Sequence, residues 1–212
     1  MITVAYTVLA MLLTIACAYP LTYIKLKGRK IFTIMMLLTI YFSAGMIPNF
    51  ILMNDLGLIN HPLVLILPNA ISVFNVIILK SFFMSTIPIS LRESAEIEGA
   101  NHFQVLVKIY LPLSAPVIAT LILFYAVGRW NGFADSLLFM QNRDMQVIQH
   151  RLYQLITGQA HIETAALEGM MIGVTESLRA ASVMFATVPI LLVYPWLQKY
   201  FISGVTLGAI KE

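Results

Sequence analysis

A polar stretch between two hydrophobic runs decides the fold of this chain, and residues 88–112 read PISLRESAEIEGANHFQVLVKIYLP. The whole chain is 59% hydrophobic and only 11% charged, whereas soluble domains carry about 25% charged residues. A stretch that carries both charge signs therefore has to lie outside the lipid. This composition predicts an all-α integral membrane protein in which hydrophobic helices flank a polar surface loop.

Within this stretch, capping and glycine positions predict two helices joined by a corner. Ser90 and Glu93 have the spacing of a capping box, so a helix is expected to begin at Leu91. Gly99 can adopt the left-handed conformation that ends a helix. Asn101 then opens a second, weaker capping pattern three residues before a glutamine. The expected structure is a rigid helix–glycine–helix element on the membrane surface, to which another protein can bind.

These residues resemble a motif in the membrane subunits of ATP-binding-cassette (ABC) importers. Their cytoplasmic loop has the form E-A-A, three residues, G, nine residues, I-x-L-P, and here both gaps have full length. The matching positions are Glu93, Ala95, Gly99, Ile109, Leu111 and Pro112. Ser94 replaces the middle alanine, and Glu98 stands where aspartate is usual. The resemblance implies a type I ABC importer permease fold, in which residues 88–112 form the coupling loop.

By this resemblance, the coupling loop docks in a cleft of a separate ATPase. The residues expected to take part are Leu91, Glu93, Ala95, Glu98, Gly99, Phe103, Ile109, Leu111 and Pro112. Leu91, Ala95 and Phe103 are expected to make the apolar contacts. Glu93 has two possible roles, since it can cap the helix or form an ionic or hydrogen-bonded contact with the ATPase.

Five hydrophobic runs are each close to the ~20 residues that a helix needs to cross the hydrocarbon core. They lie at residues 2–24, 31–53, 63–83, 109–128 and 181–201. Most Lys and Arg residues lie beside the coupling loop, between the first two runs, or after the last run, which marks that side as cytoplasmic. The amino terminus is therefore expected outside, and a short carboxyl-terminal tail (202–212) inside. Because a further span commonly precedes this core in the resembled family, one is expected to be missing.

Small and polar residues inside the runs favour close helix packing. Small side chains recur at every fourth position of the first run, at Ala10, Thr14, Ala18 and Thr22, and they allow close helix contact. Asn69 and Asn75 lie in the third run. Amides at this depth either bond to a neighbouring helix or line a water-filled substrate path, and the sequence leaves both interpretations open.

Residues 129–180 form the longest segment on the opposite side of the membrane. The segment opens with RWNGFAD at 129–135, and Trp-Asn directly after a span resembles the sugar-importing branch of the family. Trp130 can anchor the chain at the membrane interface. Alternatively, Trp130, Asn131 and Asp135 border the outer mouth of a substrate path. Residues 147–156 have the spacing of a surface helix, which either lies on the membrane or forms a docking rim for a binding protein.

The sequence contains no recognisable catalytic motif. A G-x-x-x-x-G-K-[ST] phosphate loop is absent, the four histidines have no metal-ligand spacing, and the single cysteine lies inside a span. No Asp or Glu falls within a hydrophobic run, which disfavours a proton-coupled transporter. We therefore expect no enzyme activity, metal or cofactor in this chain, and we expect ATP and Mg²⁺ to be used by a partner ATPase.

The carboxyl-terminal sequence resembles the smaller permease subunit of maltose-type carbohydrate importers. It reads YPWLQKYF at residues 194–201 and continues into a glycine-containing tail. The resemblance implies a subunit of the bacterial cell membrane that imports a sugar with ABC ATPase subunits, a second permease and an extracytoplasmic sugar-binding protein. An importer of a non-sugar solute and a non-transporting membrane scaffold are the alternatives. Loop anchoring to lipid accounts for the net charge of +3, so no nucleic-acid partner is expected.

Overall fold

The computed structural model describes residues 1–154, Thr157, Ser177, 180–192 and Pro195. Every regular element in these ranges is helical, as the composition predicts. The helices are α1 (Ile2–Ala18), α2 (Arg29–Tyr41), α3 (Met46–Asp55), α4 (Val73–Thr86), α5 (Ile89–Ile97), α6 (His102–Val105), α7 (Leu111–Leu113), α8 (Ala115–Asn131), α9 (Ala134–Phe139), α10 (148–154) and α11 (Ala180–Leu192). Short 3₁₀ turns lie at Pro20–Thr22, Pro62–Leu65 and Arg143–Met145, and a π-helical turn lies at Leu106–Tyr110.

Helix α1 lies at the centre of the packed core. With its 3₁₀ extension to Thr22, it is the one helix in the described part of the chain that is long and apolar enough to cross a membrane alone, as expected for residues 2–24. Ala10, Thr14 and Ala18 are fully buried, and α1 packs against α4 and α8. The predicted small-residue ridge is therefore confirmed, because it lets the helix axes approach closely.

The second predicted run is broken. Residues 31–53 form α2 and α3, which meet at 112° across residues 42–45. Gly45 precedes α3 with a φ of 88°, a conformation that favours glycine. The prediction of one continuous helix is wrong here, because the backbone turns sharply at a small-residue segment that hydropathy does not distinguish from the helices beside it.

The fourth predicted run is also bent. The helical segments on either side of Ser114 meet at 83°, so residues 109–128 do not form one straight helix. Pro112 and Pro116 flank this point, and neither offers a backbone N–H to the preceding turn. If each bent pair is counted as one span, the described residues provide up to four spans.

The third and fifth predicted runs are helical only in part. Of residues 63–83, the α-helical portion begins at Val73, and the segment before it contains a 3₁₀ turn and non-helical residues. Helix α11 confirms the first part of the run predicted at 181–201. Most of residues 193–201, together with the tail at 202–212, lie outside the described residues.

The end of the bundle opposite the coupling loop is stabilised by a smaller apolar cluster and by hydrogen bonds of Asn60. Asn60 adopts a φ of 59°, a conformation that asparagine tolerates better than most residues. Its Oδ1 accepts hydrogen bonds from the backbone N–H groups of Gln141 at 2.7 Å and Asn142 at 3.0 Å. Its own N–H donates to the Phe139 carbonyl at 3.0 Å. The α3–α4 connection and the end of α9 are thereby fixed to one another.

Candidate functional site at the coupling loop

The predicted glycine corner is present and closes helix α5 with a complete Schellman motif. Gly99 has a φ of 86°, as predicted. Its N–H donates to the Glu96 carbonyl at 3.1 Å, and the Ala100 N–H donates to the Ala95 carbonyl at 2.9 Å. These two bonds satisfy carbonyls that the end of a helix otherwise leaves free. Backbone chemistry alone therefore fixes the turn between α5 and α6.

The capping box predicted at the start of α5 is wrong, whereas the weaker one is complete. Helix α5 begins at Ile89, and its N-cap is Pro88 without a side-chain hydrogen bond. Pro88 already has the extended conformation of an N-cap, with φ −60° and ψ 138°, so Ser90 falls inside the first turn. At α6, by contrast, the Gln104 N–H donates to Asn101 Oδ1 at 2.8 Å, and the Asn101 N–H donates to Gln104 Oε1 at 3.0 Å.

The starts of α5 and α6 give different expectations for alanine substitution. Asn101→Ala is expected to destabilise the start of α6 by about 1 kcal/mol, because it removes a side-chain cap. Ser90→Ala is expected to change stability by less than about 0.5 kcal/mol, because Ser90 caps nothing. Hydrogen exchange of the amides at residues 100–105 would report the difference. Equal protection in the two variants would contradict the assignment of the cap.

Aromatic and polar side chains attach the corner to the end of α1. The Tyr19 hydroxyl donates to the His102 carbonyl at 2.9 Å, and it lies 2.7 Å from the Tyr23 hydroxyl. The Tyr23 hydroxyl in turn lies 3.1 Å from His102 Nδ1 and 3.5 Å from Glu96 Oε1. We call Tyr19, Tyr23, Glu96 and His102, together with Arg92, the tyrosine cluster.

Arg92 belongs to the tyrosine cluster through a cation–π contact with Tyr23 and an ion pair with Glu96. Its Cζ atom lies 4.4 Å from the centre of the Tyr23 ring, which is within cation–π range. Its Nε lies 3.7 Å from Glu96 Oε1 at helical i,i+4 spacing. Sequence reasoning missed this cluster. The Arg92–Glu96 spacing was a signal for the ion pair, but nothing in the sequence linked that pair to tyrosines so far away in the chain.

The outward face of the coupling loop presents apolar side chains. Phe103 is 72% exposed and Leu91 is also exposed, so both are accessible to a partner, as predicted. Ile97 is 87% exposed and was not predicted, although an isoleucine directly after Glu96 in a polar surface loop was a signal. Ala95 and Ile109 instead pack against the core, where their side chains support the corner from below.

The remaining predicted coupling residues lie around the same element. Glu93 and Glu98 are exposed, and Glu93 lines a cleft of about 800 Å³ between α5 and the end of α1. Leu111 is half-buried, and Pro112 is exposed in the first turn of α7. The structure therefore gathers the predicted residues at one end of the bundle. Their contact with an ATPase stays a prediction.

At the opposite end, the predicted path residue Asp135 belongs to an ion pair. Arg129 Nη1 donates to Asp135 Oδ2 at 2.8 Å, and Nη2 donates to the Gly132 carbonyl at 3.1 Å. The Arg129 side chain is 5% exposed and that of Asp135 is 32% exposed. The guanidinium also lies 5.9 Å from the centre of the Tyr6 ring. The carboxylate and the carbonyl thus give acceptors to both terminal nitrogens of a cation that would otherwise be costly to bury.

Asn69 and Asn75 approach the same region from α4 and the segment before it. The Tyr6 hydroxyl donates to the Asn69 carbonyl at 2.7 Å, and the Asn69 side chain is exposed. Asn75 is buried in the first turn of α4, which Ser72 caps through the Asn75 N–H at 3.4 Å. The Ser72 N–H also donates to the Tyr125 hydroxyl at 3.3 Å. Tyr6 and Tyr125 thus connect the predicted asparagines to α1 and α8.

Trp130 and Asn131 differ from each other in their surroundings. The Trp130 indole N–H donates to the Ala186 carbonyl of α11 at 3.0 Å, so this side chain joins two helices. Asn131 is exposed at the end of α8. The structure does not bring Trp130 and Asp135 into one polar site, and a role of these residues in a substrate path stays a prediction.

The surface helix predicted at residues 147–156 is confirmed over α10. The side chain of His150, on the inner face of this helix, is buried, with Nδ1 3.1 Å from Ser136 Oγ and Nε2 2.9 Å from Gln154 Nε2. Burial lowers the pKa of His150, which favours a neutral ring. Residues 155–156 lie outside the described residues. Docking of a binding protein on this helix stays a prediction.

Comparisons with known proteins agree with the motif. The family described as "Binding-protein-dependent transport system inner membrane component" matches residues 2–207. The chain is 40% identical to the polygalacturonan/rhamnogalacturonan transport system permease protein YtcP of Bacillus subtilis (strain 168), over 99% of this chain and 74% of that protein. It is 29% identical to the melibiose/raffinose/stachyose import permease protein MelC of the same organism, over 92% of this chain and 67% of MelC.

A solved structure extends the agreement to the fold. It is described as a bacterial ABC transporter involved in the import of the acidic polysaccharide alginate. The match has a TM-score of 0.80 and 31% identity, and it covers 94% of this chain and 73% of that chain. Because the loop motif, the helical fold of the described residues and the relatives agree, the chain belongs to the binding-protein-dependent transport system inner membrane components, the permease subunits of ABC importers.

Proposed function

We propose that this chain forms, together with a second permease, the translocation path for a sugar or oligosaccharide. The carbohydrate cargo is supported by the relatives, whose names specify polygalacturonan and rhamnogalacturonan for YtcP and melibiose, raffinose and stachyose for MelC. ATP is hydrolysed by a separate ATPase, so this chain itself needs neither a cofactor nor a catalytic residue. An extracytoplasmic binding protein delivers the sugar to the face that carries the Arg129–Asp135 pair. The coupling loop and the carboxyl terminus lie in the cytoplasm, and the amino terminus of this chain lies outside.

The observation that carries this proposal is the glycine corner, which is rigid yet open to a partner. Its backbone bonds are internally satisfied, while Leu91, Ile97 and Phe103 expose apolar surface on it. An apolar patch on a rigid element is the feature expected of a docking surface. The ATPase covers this patch, and Glu93 contributes a charged contact at its edge.

The tyrosine cluster gives docking a mechanical consequence. Tyr19 and Tyr23 join the corner directly to the end of α1, and α1 packs along α4 and α8. When two ATPases close on ATP, the corner moves as a rigid body and carries α1 with it. The helices then exchange an inward-facing for an outward-facing arrangement, which is alternating access by rigid-body motion.

Isolation of the chain from its native membrane tests this proposal. Solubilisation in mild detergent followed by mass spectrometry is expected to recover an ABC ATPase, a second permease with a similar loop, and a sugar-binding protein. Recovery without an ATPase would favour the non-transporting scaffold. Recovery with a binding protein for another solute would retain the importer and replace the cargo.

A substitution pair localises the ATPase contact. Phe103→Ala is expected to weaken recovery of the ATPase by roughly tenfold or more, as for loss of a buried aromatic anchor. Met145→Ala removes an exposed apolar side chain from the opposite end and is the matched control. Unchanged recovery in the Phe103 variant would place the ATPase elsewhere.

A further inference from the structure

Two basic side chains face the seam between α2 and α4, close to the coupling-loop end of both helices. Arg29 Nη2 donates to the Met84 sulfur at 3.3 Å, and Lys80 Nζ donates to Thr33 Oγ1 at 3.5 Å. Thr33 lies one turn after Arg29 on α2, and Met84 lies one turn after Lys80 on α4. Residues four apart share a helix face, so the two contacts occupy adjacent turns and bring both cations to one seam.

The charges at this seam lack a compensating anion within the described chain. None of the ion pairs among the described residues includes Arg29 or Lys80. A thioether and a hydroxyl are their hydrogen-bond acceptors, and both acceptors are neutral. The two side chains are half-buried, and their contacts place both charges on adjacent turns of one seam. Such a pair is unfavourable beside a hydrocarbon core unless an anion joins it.

The amino-terminal end of α2 adds to the same positive field. No acidic residue stands in its first turn, where the helix dipole favours negative charge. Instead, Lys25, Lys27 and Lys30 surround this end of the helix. Because Lys80 approaches from a different helix, the site does not depend on the end of α2 alone.

The neighbouring surface indicates which anion fits. No residue of α2 is buried within this chain, and Ile31, Phe32 and Met35 expose large apolar side chains next to the charged seam. Lys80 lies about 9 Å from the end of α4 at 1.5 Å per residue, a depth from which its side chain can reach the headgroup region. A ligand for this surface therefore combines a phosphate with hydrocarbon chains.

We propose that Arg29 and Lys80 bind the phosphate of an anionic phospholipid in the leaflet on the coupling-loop side. The acyl chains lie along the exposed face of α2, and the headgroup joins α2 to α4. The phosphate completes the charge balance that the described residues leave open. Lipid binding at this seam does not require transport, so the lipid site and the importer function are tested separately.

Native mass spectrometry of the purified full chain tests the site. The chain is mixed with phosphatidylglycerol or with phosphatidylcholine of the same acyl length, and the bound lipid is counted. Preferential retention of phosphatidylglycerol is expected. Arg29→Gln combined with Lys80→Gln is expected to weaken that retention roughly thirtyfold, since each basic group near the surface contributes about fivefold.

A matched control separates a built site from a diffuse positive field. Lys25→Gln combined with Lys27→Gln removes the same charge from exposed positions of the adjacent loop. Because salt screens exposed charges much more than half-buried ones, retention is expected to change far less. Equal losses in the two double variants, or equal retention of both lipids, would overturn the proposal. Lys80→Gln alone, with an expected loss of roughly fivefold, and the charge-conserving Lys80→Arg, with retention preserved, test the site if the double variant does not fold.

Two other anions are distinguished in the same experiment. Inorganic phosphate that displaces phosphatidylglycerol from the seam at equal concentration would assign the site to a free anion. Loss of the bound lipid when the chain is isolated with its partner subunits would assign the seam to a partner carboxylate. Either result would overturn the phospholipid assignment, whereas retention of the lipid in both cases supports it.

Discussion

Gly99→Val is expected to leave the protein in the membrane and to abolish most ATP-driven uptake by the assembled importer. A Cβ at this position would meet nothing within 4 Å, so the substitution adds no clash. Its cost arises from the φ of 86°, which costs a residue with a side chain about 1–2 kcal/mol, and a β-branched one more. The corner would relax, and α5 and α6 would no longer present one rigid surface.

Two controls make this experiment specific. Gly99→Asn adds a side chain to the same open space but tolerates a left-handed backbone better, so it is expected to retain more uptake than valine. Gly128 lies within α8, and a Cβ there would also meet nothing within 4 Å, so Gly128→Ala is expected to leave uptake unchanged. Uptake in proteoliposomes and recovery of the ATPase would be measured together. Wild-type uptake by Gly99→Val would contradict a rigid coupling corner.

Asp135→Asn is expected to destabilise the folded protein by about 3 kcal/mol, because it leaves the buried Arg129 cation without its partner. Arg129→Met is expected to cost less, since the carboxylate that remains is 32% exposed and can be solvated. Unfolding in detergent, followed by intrinsic fluorescence, would measure both. The order of the two variants is the informative result.

A surface ion pair provides the control for this prediction. Asp144 lies 3.9 Å from Arg151, and its side chain is 95% exposed, so Asp144→Asn is expected to cause no measurable change. If Asp135→Asn unfolds like the wild type but alters sugar uptake, Asp135 acts in the substrate path rather than in the ion pair. That outcome would favour the substrate-path role, which is one of the two interpretations that the sequence leaves open.

Local chemistry was the part of the site that sequence could predict. The positive φ of Gly99 and the Asn101 capping box each depend on a few consecutive residues, and both are present. The buried ridge of α1 followed from a simple four-residue repeat. The start of α5 was wrong because Pro88 supplies an N-cap conformation without a side-chain acceptor, a possibility that the capping pattern at Ser90 obscured.

The directions of the helices and the contacts between residues far apart in the chain could not be predicted from the sequence. Hydropathy measures how apolar a run is, and it contains no information about the 112° bend between α2 and α3. The bond from Tyr19 to His102 joins residues 83 positions apart, and no pattern in either segment identifies the other. The sequence also did not indicate the ion pair of Asp135, because Arg129 reaches this carboxylate only through the turn of the chain between α8 and α9.

The π-helical turn at Leu106–Tyr110 determines the rotational phase between the corner and everything that follows it. A π turn accommodates one more residue than an α turn, and each residue of an α-helix corresponds to about 100° of rotation. If this turn closed to α geometry with all its residues retained, the corner would rotate by roughly 100° relative to the helices that follow it. The apolar patch would then point to a different side of the bundle, so the π geometry of this turn specifies the direction of docking independently of the residues that dock.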